Sequence, residues 1–186
     1  PLYIDALVNS IIKKTNEISW KPDLIIASYH GIPKKYFDKG DPYHCYCHKT
    51  ARLIADELKL SENDYIVTFQ SRFGKQIWLQ PYTDDVLEKL AEDGIDSIDI
   101  FCPGFLCDCL ETLEEINMQS RNHYISSGGK RFNYIAALND DDENILSLEK
   151  IILNEVSDWD NIEINLKENL RKTKDLFEKH NYNKSK

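Results

Sequence analysis

The stretch Asp23-Leu-Ile-Ile-Ala-Ser-Tyr29, followed by His30-Gly31-Ile32-Pro33, decides the fold. Its apolar run is short, continuous and bounded by Pro22 and Gly31. A strand solvated on one face alternates apolar and polar residues, whereas one covered on both faces reads as an unbroken run. The stretch therefore predicts a buried parallel strand. Upstream, Leu2, Ala6, Leu7, Ile11 and Ile12 fall at helical spacing, which predicts a helix over 2–17. Downstream, Gly40-Asp41-Pro42 offers a capping carboxylate and a proline for the first helical position. The helix it opens is expected to run to Leu58, with Ala51, Ile54, Ala55 and Leu58 on its buried side.

The alternation continues to the end of the chain. Tyr65–Phe69 reads as a second strand and Thr83–Asp93 as a helix stopped by Gly94. Ser97–Phe101 is a third strand, followed by a helix over Asp108–Ser127 that Gly128-Gly129 ends. Arg131–Leu138 is a fourth strand at an edge, Asn139–Glu143 an acidic turn, and helices are expected at 144–156 and 159–179. Strands separated by helical segments imply crossover units. The expectation is an α/β fold: a doubly wound, four-stranded parallel sheet with helices on both faces.

Composition narrows the function. At 186 residues the chain is about one domain long. Its 32 acidic against 23 basic residues leave a net charge of −9, which argues against a general nucleic-acid binder. No apolar run is long enough to span a membrane as a helix, and no signal peptide opens the chain. Five cysteines, an odd number, do not suggest a secreted disulfide framework and point to a reducing, cytoplasmic setting. The first residue is Pro1 rather than Met, which suggests a chain processed or cut from something longer.

Ligands of open parallel sheets gather at the carboxyl ends of the strands. Three strand ends carry unusual sequences here, around His30, around Gln70-Ser71-Arg72 with Trp78, and around Cys102-Pro103-Gly104 with Asp108. No Gly-rich phosphate loop and no nucleophile elbow follows any strand. Glu111 and Glu115 share a helix face, with Gln119 one turn further, while Leu106, Leu110 and Leu113 are expected in the core. The acidic row reads either as a solvated face or as a lining that binds a cation or relays protons. His30, fixed by the Gly-Ile-Pro turn, is either a hydrogen-bonded rim residue or a ligand. Trp78 is either a loop aromatic that closes the core or a flat wall for a planar ligand. Two thiol and imidazole groupings have partial metal-site spacing. His44 and His48 have i,i+4 spacing but no matching second pair. Cys102, Cys107 and Cys109 have iron–sulfur-like spacing, yet read better as free buried thiols.

Taken together, Ser28-Tyr-His-Gly-Ile-Pro33, Gly40-Asp-Pro-Tyr43, Phe69-Gln-Ser-Arg-Phe-Gly74, Trp78-Leu-Gln-Pro-Tyr-Thr83, Pro103-Gly-Phe105, Asp108-Cys-Leu-Glu-Thr-Leu-Glu-Glu-Ile116 and Gly128-Gly129 resemble the ferrochelatases of Gram-negative bacteria. The likeness covers residues 1–140 and only the second half of such an enzyme. It implies one Rossmann-like half of a chelatase fold over 1–140; beyond the likeness, 141–186 is expected as a C-terminal helical extension packing on it. It implies insertion of Fe2+ into protoporphyrin IX to give protohaem. His30 and Glu111 would be metal ligands and catalytic groups facing the porphyrin centre, Glu115 a further catalytic acid, and Trp78 a binding aromatic. Gln119 departs from the family's line of acids, which puts the far end of that line in doubt. The resemblance also implies a π-type irregularity in the Glu111 helix. Fe2+ would be substrate, with no permanently bound cofactor; no Cys follows Cys109, so no [2Fe–2S] cluster is expected. The partners implied are protoporphyrin IX, Fe2+ and the N-terminal half of the same enzyme, with no nucleic acid. The expected location is cytoplasmic, with peripheral contact at the inner membrane left open. The alternatives are an isolated metal- or porphyrin-binding half-domain without turnover, or a cobalt or nickel chelatase.

Overall fold

The structure, a computed structural model, describes residues 2–157, 159 and 166–182. Four strands, β1 (Leu24–His30), β2 (Tyr65–Gln70), β3 (Ser97–Phe101) and β4 (Arg131–Ile135), form one sheet in the order β2-β1-β3-β4. All pairings are parallel, with Ile26 of β1 opposite both Ile66 and Ile100, and Ile98 opposite Phe132. From β1 the chain winds first to one side and then to the other. The reversal lies between β1 and β3, where a doubly wound sheet opens a crevice at its carboxyl edge.

Side chains alternate between the faces of a strand, and this sorts the core into two layers. Ala27, Tyr29, Val67 and Phe69 pack against α1 (Leu2–Glu17) and α3 (Tyr43–Leu58), through Leu7, Ile11, Ala51 and Ile54. Ile26, Ile98, Ile100 and Phe132 face α4 (Thr83–Glu92), a π-helix (Glu111–Ser120) and α5 (Arg121–Ser126), through Leu87, Ile116 and Tyr124. By the same alternation, Ser28 and His30 stand on the π-helix side. Pro42 takes the N-cap of α3 rather than its first helical position, while Asp41 Oδ1 still accepts the Tyr43 N–H at 2.9 Å. The four-residue α2 (Lys34–Phe37) was not foreseen, because so short a turn has no hydrophobic period to read.

The helix expected over Asp108–Ser127 starts later, and Glu111–Ser120 is a π-helix. Its looser i→i+5 winding changes which positions share a face. Thr112, Ile116 and Ser120, four apart, turn into the core. Leu106, Leu110 and Leu113, expected there from α-helical spacing, are exposed. The three thiols also differ from expectation: Cys102 is buried, but Cys107 is exposed and Cys109 partly so. Cys102 ends a covered strand, whereas the other two lie on the connection that leaves the sheet.

Two compact units divide the chain, Pro1–Leu148 and Glu149–Lys186. The first holds the sheet and ends within α6 (Asp142–Val156), where buried Asn144 donates from Nδ2 to the Asn139 carbonyl at 2.7 Å. The second contains α7 (Leu166–Tyr182), with a Lys172–Glu168 ion pair at 2.8 Å. The sequence reading of a helix over 159–179 includes residues 160–165, which lie outside the described residues. No helix among the described residues is long and apolar enough to cross a membrane.

One buried carboxyl marks the layer under α1. Asp99 accepts from Thr15 Oγ1 and from Asn133 Nδ2, both at 2.9 Å. Burial outweighs those hydrogen bonds and raises its pKa. A carboxyl whose folded pKa is raised contributes stability below its unfolded pKa, and loses it as pH climbs through the folded one. Asp99→Asn keeps the Asn133 bond, and the Thr15 hydroxyl can turn to accept. Its unfolding midpoint is expected to exceed that of the parent at neutral pH, with the gap closing in acid. A pH series of thermal melts checks this; a variant less stable at pH 7 would refute it.

Candidate active site

His30 is the last residue of β1, on the sheet's central strand. Its Nδ1 lies 2.7 Å from the Gly31 carbonyl oxygen, an acceptor only, so Nδ1 carries the proton. In the neutral ring Nε2 then keeps a free lone pair, the form in which imidazole serves as base or ligand. The His30 carbonyl accepts from the Tyr43 hydroxyl at 2.8 Å, which ties the strand end to α3. The ring lies 6.3 Å from Trp78 and 6.4 Å from Phe105.

Trp78 owes its place to the neighbouring turn. Its Nε1 donates to the Phe73 carbonyl at 2.8 Å, and a backbone bridge joins it to Pro33. A Cβ on Gly31 would stand 3.2 Å from the Trp78 ring and 3.0 Å from the Gln70 carbonyl, so glycine lets the three segments close up. Trp78 is partly buried beside His30, rather than on the wall of the main cavity.

That cavity opens along the carboxyl edge and has a volume of about 830 Å3. It falls within the roughly 300–1,000 Å3 usual for small-molecule sites. His30, Glu111 and Glu115 line it together. Gln70 sets the depth of the π-helix against the sheet. Its Nε2 donates to the Glu111 carbonyl at 2.7 Å, while its Oε1 accepts from Ser28 Oγ at 2.8 Å and from the Cys102 thiol at 3.4 Å. Asp108 anchors the approach to the helix. Burial pushes its pKa up, but hydrogen bonds from Tyr134, Asn139, Ala137 and Thr112 outweigh this and hold it below the usual carboxylate range.

The acidic row differs from one position to the next. The Cys109 thiol hydrogen-bonds Glu111 and, with its own backbone N–H, lowers the Glu111 pKa; His30 adds to the effect. Glu111 is therefore ionised at neutral pH. Glu115 is pinned instead: Ser71 donates to it from its backbone N–H at 2.6 Å and from Oγ at 2.5 Å. Ser71 has a φ of +63°, which turns both donors toward the helix. Further out, Gln119 donates to Glu114 at 3.2 Å, and His123 lies 3.8 Å from Glu88.

The structure thus brings His30, Glu111 and Glu115 to one cavity and keeps Trp78 at its rim. The sequence reading placed Ser71 and Asp108 at the ligand-bearing strand ends without giving either a role, and it overlooked His123. The four-residue spacing of Glu111, Glu115 and Gln119 continues to His123 and was the available signal. His44 and His48 lie on the opposite face of the sheet, with ring centroids 4.4 Å apart and His44 stacked on Phe69. Among the described residues no three His, Cys, Asp or Glu side chains are placed to hold a metal ion. Any metal met by His30 and Glu111 must complete its coordination from water or from another ligand.

Residues 1–156 match the family model described as Ferrochelatase. A ferrochelatase of Rhizobium etli (strain CIAT 652) is 50% identical over 157 residues, which cover 84% of this chain and 46% of that protein. A ferrochelatase of Hydrogenovibrio crunogenus is 50% identical over 159 residues, covering 86% of this chain and 42% of that protein. The chain therefore spans a little under half the length of the curated relatives it matches. Among solved structures, SirB from Bacillus subtilis, determined with Fe3+, matches with a TM-score of 0.57 at 12% identity, covering 84% of this chain and 56% of that one. That likeness is one of fold.

Proposed function

Because the chain belongs to the ferrochelatase family, we propose that its cavity is one wall of a site where Fe2+ enters protoporphyrin IX, giving protohaem and two protons. The observation that carries this reading is the pairing of a Nδ1-protonated His30 with an ionised Glu111 on one cavity, beside an aromatic rim. Metal insertion replaces two pyrrole N–H protons with a metal ion, so it needs proton acceptors at the ring centre. His30 Nε2 takes one such proton or touches the arriving Fe2+. Glu111, acting opposite it, takes the second or supplies a hard oxygen ligand. Glu115, held by Ser71, passes protons or metal along the row. Trp78 covers part of a flat, mostly apolar ring. Two protein donors rather than a closed set suit a metal that must be handed on to four pyrrole nitrogens.

The reading takes Fe2+ as substrate, with no resident cofactor. Its partner is the N-terminal half of the same enzyme, which completes the cleft. The setting is the cytoplasm, with peripheral membrane contact left open. A second reading, a porphyrin- or metal-binding half without turnover, is favoured by the share of the relatives' length that the chain spans. Metallation separates the two. Protoporphyrin IX and Fe2+ are mixed anaerobically with the chain, with and without the N-terminal half, and the Soret and Q bands are followed. Insertion only when both halves are present supports a shared site, and insertion by the chain alone would make this wall sufficient. Porphyrin binding without insertion in either sample, while the intact enzyme works, favours the second reading. An intact enzyme inactive with Fe2+ but active with Co2+ or Ni2+ would overturn the iron assignment. In an active sample, Glu111→Gln is expected to lower the insertion rate at least about 100-fold.

A further inference from the structure

The cavity lining is lopsided in charge. Asp84, Asp85, Glu88, Glu111, Glu114 and Glu115 supply six carboxylates, against which stands a single guanidinium, that of Arg72, and no lysine. Arg72 follows the left-handed Ser71, so the turn that aims Ser71 at Glu115 also throws the next side chain to the outer rim. There its guanidinium lies 4.4 Å over the Tyr82 ring. The Tyr82 hydroxyl in turn accepts the Trp78 backbone N–H at 3.3 Å. Arg72 thus belongs to the same aromatic rim as Trp78. Stacking fixes the plane of the guanidinium but leaves its edge of N–H donors free. Its carboxylate neighbour Asp85 is 3.4 Å away, and both side chains are at least half exposed. So long and solvated a contact holds the group only weakly.

A planar, fork-shaped cation at the edge of a site for a flat apolar ring suits a carboxylate attached to that ring's periphery. We propose that Arg72 takes one peripheral carboxylate of the tetrapyrrole, and so sets which edge of the ring faces this half of the cleft. This rests on the tetrapyrrole reading of the cavity. The acidic remainder of the lining would repel that carboxylate from every other direction, so one cation orients the ring as well as binding it.

The test compares protoporphyrin IX with its dimethyl ester, which has the same ring and no carboxylate charge. Binding to the 186-residue chain is read by Soret shift and tryptophan quenching. The parent is expected to bind the free acid about tenfold more tightly than the ester, as for one charge-assisted hydrogen-bonded pair. Arg72→Leu should abolish that preference while leaving ester affinity unchanged, and Arg72→Lys should restore part of it. A preference that survives Arg72→Leu would overturn the proposal. So would an equal loss for both ligands, which would mean that Arg72 acts through its packing on Tyr82. If the parent binds neither ligand, alone or with the N-terminal half added, the tetrapyrrole reading of this cavity fails, and the role of Arg72 fails with it.

Discussion

His30→Ala, in the enzyme with both halves of the cleft present, is expected to slow metal insertion by roughly 10²–10⁴-fold, the range for loss of a positioned proton acceptor. Folding should be unaffected. The side chain is only partly buried, at the open end of β1, and alanine fits a strand terminus without strain. The variant loses the part-buried Nδ1 contact to the Gly31 carbonyl, a loss of about 1 kcal/mol that does not threaten the fold. Porphyrin binding should weaken only modestly, because Trp78 is held by Phe73 and the Pro33 bridge, not by His30. Binding thus persists while turnover collapses. Stopped-flow metallation alongside equilibrium porphyrin titration separates the two quantities. An insertion rate within tenfold of the parent would remove His30 from the chemistry.

Gly129→Ala carries the largest expected loss of stability, about 3 kcal/mol, at the upper end of typical overpacking costs. A Cβ at Gly129 would lie 2.2–2.5 Å from three atoms of the Tyr124 ring. That ring cannot retreat. It is fully buried, it packs on Phe132 with centroids 6.1 Å apart, and its hydroxyl donates to the Ile95 carbonyl at 2.6 Å. The reason for glycine here is a close approach, whereas its neighbour Gly128 is needed for a φ of +114°. Gly104→Ala is the matched control, since its Cβ would meet Tyr29 at an ordinary 3.4 Å. Urea unfolding should show a large drop in midpoint for Gly129→Ala and little change for Gly104→Ala. Equal midpoints would mean that the Tyr124 pocket yields more readily than its packing implies.

β1 and β2 were legible because burial on both faces leaves a nearly unbroken apolar run, and β1 to β3 begin and end within a residue of expectation. β4 stops at Ile135, three residues short of the expected end at Leu138. The π-helix was legible only through family resemblance. Spacing alone assumes 3.6 residues per turn, and that assumption sent Leu110 and Leu113 inward. His30 stood out because the following Gly-Ile-Pro turn announces a fixed position. The bond from Ser71 to Glu115 did not, because it depends on one positive φ that serine rarely adopts. Arg72 was legible in part: its strand-end position sets it on the same rim as His30 and the acids, but its stacking on Tyr82 was not legible. Its significance lies in the charge of residues 12 to 43 positions away, which the folded cavity assembles.

The ten-residue π segment makes the helix after β3 intolerant of changes in length as well as in composition. Removing Leu113 would leave every acid in the chain and tighten the segment toward ordinary α winding. Everything beyond the deletion would then swing by about 100° around the axis. Glu115, Gln119 and His123 would turn away from the opening, and Ile116 would leave its place under the sheet. The row of acids is thus a matter of phase: the surplus residue in each turn is what keeps it aimed at His30.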